Sequence, residues 1–132
     1  MIELIVTAAL FTRDIDYTIP EHYQEYAECV ADRESSGSPH AVNPSGKYRG
    51  KYQFNDQLAD GTTYHIKAWV KSWHPKPKKY LAALRDKPMN KWPEAVQDAA
   101  FVAVLDGHDA KERWSGMSHF AGGRWYCGKD GR

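Results

Sequence analysis

Between Thr18 and Pro39 the chain carries an apolar stripe at helical spacing that runs out on a carboxylate. Thr18-Ile-Pro-Glu21 reads as a capping box, with Pro20 tolerated in the first turn. Tyr23, Tyr26, Ala27 and Val30 then follow the i, i+3, i+4, i+7 rule of one helix face. Four residues further along the same face comes Glu34, and Ser35, Ser36, Gly37 and Pro39 stop the helix. An acid ending a buried stripe has two readings. It can bridge or cap a neighbouring loop, the commoner fate of a single Glu. It can also serve as a general acid, because burial disfavours the charged form of a carboxylate.

The next segment sharpens the second reading. Asn43-Pro-Ser-Gly46 is a turn, Pro presetting one φ and Gly permitting another. Tyr48, Gly50, Tyr52 and Phe54 then alternate with Lys47, Arg49, Lys51 and Gln53, a period of two that predicts a short hairpin strand with an aromatic face. Gly50 within it predicts a bulge or a close approach by another group.

Downstream, Ile66, Trp69, Val70 and Trp73 predict a helix from Thr62, ended by His74-Pro-Lys-Pro77. Tyr80, Leu81 and Leu84 mark a shorter one. Asn90 is the expected cap of a helix from about Pro93 to Asp106, with Val96, Ala99, Ala100 and Ala103 inside and Gly107 as C-cap. Asp109 to Trp114 reads as a further short helix, and Ser118 to Cys127 as an aromatic tail. The sum is an α+β fold, mainly helical with one small β-hairpin. At 132 residues it is a single domain, 1–132, with 1–17 an N-terminal extension packed on it.

Composition narrows the function. The formal net charge is +1 and the longest basic run is a pair, so the basic stripe of a nucleic-acid binder is missing. Five Trp and eight Tyr suit sugar faces and core filling equally well. The six histidines form no HExxH or other dense ligand set, so neither a metal nor a cofactor is expected. Leu4 to Phe11 is apolar but too short to span a bilayer, and Glu3 stands where a signal peptide would be basic. Cys29 and Cys127 are the only cysteines and fit no zinc or redox spacing, leaving two buried thiols or one disulfide.

The stretch Glu34-Ser-Ser-Gly-Ser-Pro-His-Ala-Val-Asn-Pro-Ser-Gly resembles the first motif of soluble lytic transglycosylases and goose-type lysozymes, a Glu-Ser pair followed by a Pro-x-Ala-Val turn. Gly50-Lys-Tyr-Gln53 resembles their second motif, Gly-Leu-Met-Gln. Tyr48 to Phe54 is also similar to the Tyr-Tyr-Gly-Gly-Leu-Gln-Phe of resuscitation-promoting factors. Lys51 and Tyr52 depart from the small and aliphatic residues of those motifs. The third motif, Tyr-Asn-Ala-Gly, is matched only loosely by His119-Phe-Ala-Gly122.

The resemblance implies a lysozyme-like fold and cleavage of the β-1,4 bond between N-acetylmuramic acid and N-acetylglucosamine in peptidoglycan. Glu34 would be the general acid and base. Ser35 would orient it, Gln53 would bind the N-acetyl group or sugar hydroxyls, and Tyr48, Gly50, Tyr52 and Trp125 would line the cleft. It also implies a Cys29–Cys127 disulfide. A hydrolytic version would need a second carboxylate, for which Asp56 and Asp60 are the candidates. The competing reading is a wall-binding or virion structural module of the same fold. A wall enzyme without a signal peptide points to a phage, as a lysin released through a holin or as a virion component among other virion proteins.

Overall fold

A computed structural model of the chain describes residues 15–107 and Cys127. Helix α1 spans Glu21–Ser35 and buries Tyr23, Tyr26, Ala27, Val30 and Ala31, the expected stripe extended by one residue. Its start differs from the capping box. Pro20 itself is the N-cap and no side chain caps the helix; the Pro20 carbonyl accepts from the Tyr23 N–H at 2.9 Å. At the other end Ser36 turns left-handed at φ 55, and its N–H and that of Gly37 donate to the Asp32 and Ala31 carbonyls. That satisfies two carbonyls near the helix end that carries Glu34.

The expected hairpin is not formed, and the described residues contain no strand. Two tight turns follow one another instead. Val42 bridges Arg49, and Arg49 bridges Phe54, each as an isolated antiparallel pair. Arg49 and Phe54 exchange both backbone hydrogen bonds, at 2.9 and 3.0 Å, around the four residues Gly50 to Gln53. The period-two pattern therefore spans a reversal of the chain. Positive φ at Gly50 (85°) and Gln53 (54°) closes it.

Helix α2, Asp56–His65, begins earlier than its apolar pattern predicts, because the Asn55 side chain caps it by accepting from the Leu58 N–H at 2.7 Å. The chain breaks step at Ile66 and continues as α3, Lys67–Trp73. Helix α4 is Pro77–Arg85, with Tyr80, Leu81 and Leu84 buried as expected. A 3-10 turn at Met89–Lys91 contains Asn90, which caps nothing; its Oδ1 accepts from Arg49 at 3.4 Å. Helix α5, Glu94–Asp106, is buried on nearly every side, and its neighbours pack around it. Phe101 stacks on Tyr26 from α1 and on Tyr52 from the second turn. Gly107 ends α5 in right-handed conformation, its N–H on the Ala103 carbonyl.

Cys29 of α1 is bonded to Cys127, with Cα atoms 5.7 Å apart. Ile15, Tyr17 and Ile19 pack against the core ahead of α1. The expected short helix 109–114, the aromatic tail apart from Cys127, and most of the N-terminal extension lie outside the described residues.

Candidate active site

Glu34 sits in the last turn of α1, half-buried. Its carboxylate acts on the Tyr26 phenol two turns earlier, whose pKa is pushed up first by burial and then by the Glu34 charge. Next to Glu34, the Ser35 hydroxyl donates to the Lys51 carbonyl at 2.7 Å, with Ala31 O at 3.1 Å. That bond joins the acid-bearing helix end to the Gly50–Gln53 turn.

The turn is held from behind by Gln97, a fully buried amide on the core-facing side of α5. Its Oε1 accepts from the Lys51 N–H at 2.8 Å, and its Nε2 donates to the carbonyls of Pro39 and Trp92 at 2.9 and 3.1 Å. One side chain therefore fixes both the loop after Glu34 and the turn that carries Gln53. Gly50 makes this possible: a Cβ there would lie 2.6 Å from Gln97 Oε1. The Gly50 N–H donates to Ala41 O at 2.7 Å. Gln53 donates its Nε2 to Ala41 O and Gly50 O, at 3.3 and 2.9 Å, which leaves Oε1 as the end available to a ligand donor.

A cluster of charges flanks the turn. Lys51 Nζ meets Glu94 at 2.9 Å and Asp98 at 3.1 Å. Burial pulls the ammonium pKa down, but hydrogen bonds to Glu94 and Asp98 and their charges outweigh it and raise the net value. Asp98 also accepts from the Tyr52 hydroxyl at 2.6 Å. Burial, then the Asp98 charge, pushes the Tyr52 phenol up strongly.

The predicted residues divide accordingly. Ser35, Gly50 and Gln53 meet at one junction, at the helix end that carries Glu34. Tyr48 is 43% exposed and shares with Gln53 the wall of a cavity of about 600 Å³ between the turns, α2 and the end of α5. Tyr52 is not on that wall. It is fully buried against Phe101, its hydroxyl spent on Asp98, so it offers no face to a sugar. Asp56 and Asp60 are exposed and line a second cavity of about 540 Å³ beside Arg49, which lies 3.6 Å from Asp56. Trp125 lies outside the described residues. Among the described residues neither of these cavities has Glu34 in its wall, and no group of three or more His, Cys, Asp or Glu is placed to hold a metal ion. No described helix is long and apolar enough to cross a membrane.

Sequence reasoning missed Gln97, Asp98 and the structural duty of Lys51. The signal for Gln97 was present: an amide three residues before Ala100 and four before Phe101, on a face that is otherwise apolar.

The chain is similar to curated proteins named "Probable transglycosylase SceD". The protein of Staphylococcus carnosus is 34% identical over 82 residues, which is 62% of this chain and 28% of that protein. That of Staphylococcus aureus strain bovine RF122 is 37% identical over the same length, and that of strain Newman 38% over 77 residues. The chain thus spans about 28% or less of the length of these relatives. All three are bacterial, so the expected phage setting draws no support from them. No family model matches the chain, and no solved structure matches it.

Proposed function

We propose that this chain cleaves peptidoglycan glycan strands by the transglycosylase route, at the β-1,4 bond from N-acetylmuramic acid to N-acetylglucosamine, with Glu34 as the sole acid and base. The observation that carries the reading is the junction itself. The end of the Glu34 helix is bonded through Ser35 to the turn holding Gln53, and Gln97 braces the loops on both sides. The staphylococcal relatives, by their names, support the same reaction class.

Glu34 protonates the glycosidic oxygen as the C1–O bond breaks, while the carbonyl oxygen of the substrate's own N-acetyl group assists at C1. The Glu34 carboxylate then takes the proton of the C6 hydroxyl as O6 closes on C1. The product carries a 1,6-anhydro end, and no water is consumed. Gln53 Oε1 accepts from the acetamide N–H or a sugar hydroxyl. A hydrolytic version through Asp56 or Asp60 ranks second, because both carboxylates border the cavity that Gln53 does not line, and Asp56 faces Arg49.

The test is digestion of purified peptidoglycan, with mass spectrometry of the new sugar termini, beside Glu34→Gln. Anhydro ends that vanish in the variant are expected. Reducing ends would make water the nucleophile and turn attention to Asp56 and Asp60. Wild-type cutting by Glu34→Gln would end the assignment, and wall binding without any cut would favour a binding module.

A further inference from the structure

The second cavity, of about 540 Å³, has a wall that the transglycosylase route does not use. Part of that wall is core: Ala59, Leu84, Met89 and Trp92 are all buried. The rest carries three cations, Arg49, Arg85 and Lys87, and three carboxylates, Asp56, Asp60 and Asp86. They scarcely pair with one another. Arg49 Nε lies 3.6 Å from Asp56, and among the described residues Arg85, Lys87, Asp60 and Asp86 form no ion pair. Arg85 donates its Nε to the Thr63 hydroxyl at 2.8 Å, and its guanidinium lies over Tyr64, 4.2 Å from the ring centroid. Both contacts hold the cation in place and neither neutralises it.

A solvated surface accounts for exposed charges such as Asp56, but not for Arg49. Its Nε is buried without a hydrogen-bond partner among the described residues, and its Nη1 has only the 3.4 Å contact with Asn90. A buried charged donor left unmet is costly, and an incoming acceptor removes the cost. Arg49 is also fixed in place, because its backbone exchanges two hydrogen bonds with Phe54.

Charge decides what such a wall accepts. A polyanion meets three aspartates, and a lone cation meets two arginines and a lysine. A neutral sugar takes water from six charges and returns no counter-charge. Among the described residues the acids are not grouped to hold a metal ion. A short peptide with both carboxylates and an ammonium satisfies both sets, and carboxylates suit the forked donors of arginine. The volume falls within the roughly 300–1,000 Å³ of small-ligand sites. The two cavities adjoin at Gln57, which stands in the wall of both.

We infer that this charged cavity binds a short zwitterionic peptide, the stem that branches from the glycan strand. Its carboxylates sit at Arg49, Arg85 and Lys87, and its ammonium at Asp56, Asp60 and Asp86. That the peptide belongs to the strand being cut rests on the reading of the chain as a glycan-cleaving enzyme. Acylating the ammonium, as a peptide cross-link does, removes the charge that the aspartates face. The cavity therefore favours strands whose stems are not cross-linked.

Calorimetric titration of the stem pentapeptide, L-Ala-γ-D-Glu-L-Lys-D-Ala-D-Ala, into the full chain tests this, beside the same peptide acetylated at the lysine amine. Asp60→Asn and Lys87→Gln, at an exposed and a half-buried side chain, are the variants, with melting temperatures recorded. Acetylation should weaken binding about tenfold and each variant about threefold, with melting temperature unchanged. Asp60→Asn should matter for the free amine and not for the acetylated peptide. Failure of the parent to bind overturns the inference, as does equal affinity for the two peptides. An equal loss for both peptides in Asp60→Asn overturns it too. Glycan strands stripped of their peptides should be cut with a raised KM, and an unchanged KM would overturn the link to the strand. Digestion by Glu34→Gln keeps the two readings apart. If that variant still cuts while the peptide binds as expected, the catalytic reading falls and the charged site stands. If it loses cutting and no peptide binds, the site falls and the role of Glu34 stands.

Discussion

Gly50→Ala tests how the site is held together. Two costs add at this position. The left-handed backbone, at φ +85, disfavours any L side chain by roughly 1–2 kcal/mol. The new methyl would also sit 2.6 Å from Gln97 Oε1 and 3.3 Å from its Cδ. Gln97 is fully buried and makes three hydrogen bonds, so its amide has nowhere to swing without releasing one of them. The Lys51 N–H bond is the one in the path, and losing a buried partner costs roughly 1–3 kcal/mol. The total destabilisation is therefore about 2–5 kcal/mol.

Urea unfolding of wild type, Gly50→Ala, Gln97→Ala and the double variant measures it. In the double variant the collision is gone, and relative to Gln97→Ala only the backbone cost of alanine at position 50 remains. The two substitutions should then couple, with the double variant more stable than the sum predicts by about 1–3 kcal/mol. A loss below about 0.5 kcal/mol for Gly50→Ala, within the range of ordinary surface changes, would refute the bracing role of Gln97. Additivity of the two variants would refute it as well.

Ser35→Ala should reduce cutting activity and cost about 1 kcal/mol of stability, because it removes the 2.7 Å bond to the Lys51 carbonyl; unchanged turnover would mean that this bond does not position Glu34. Stability should hold up to about pH 10 and then fall, with Tyr17→Phe reducing the slope. The sign follows from the raised values. Burial and the charges of Asp106 and Asp98 lift Tyr17 to about 12, and Tyr26, Tyr52, Tyr80 and Lys51 are raised too. Stabilisation from such groups is complete below their unfolded values and lost as pH climbs through the folded ones, which a melting series from pH 7 to 12 would display. Reduction of Cys29–Cys127 should lower stability by roughly 3–5 kcal/mol, and free thiols titrated in the native, non-reduced protein would contradict the bond.

The sequence by itself determined α1, α4 and α5. The stripe of α1, the Glu34 at its end and the apolar faces of α4 and α5 follow from residues three and four apart, and such neighbours meet whatever the rest of the chain does. The cysteine pairing was legible only through resemblance. The turn at Gly50 to Gln53 was not legible, because alternation along Tyr48 to Phe54 describes a strand and a tight reversal equally well. What decides between them lies far away in the chain. Gln97 claims the Lys51 N–H, Asp98 claims the Tyr52 hydroxyl and Phe101 takes the Tyr52 ring into the core. Only the tertiary structure brings α5 against residues more than forty positions earlier. It therefore decided that Tyr52 is core and that Gln53 stands at the cavity.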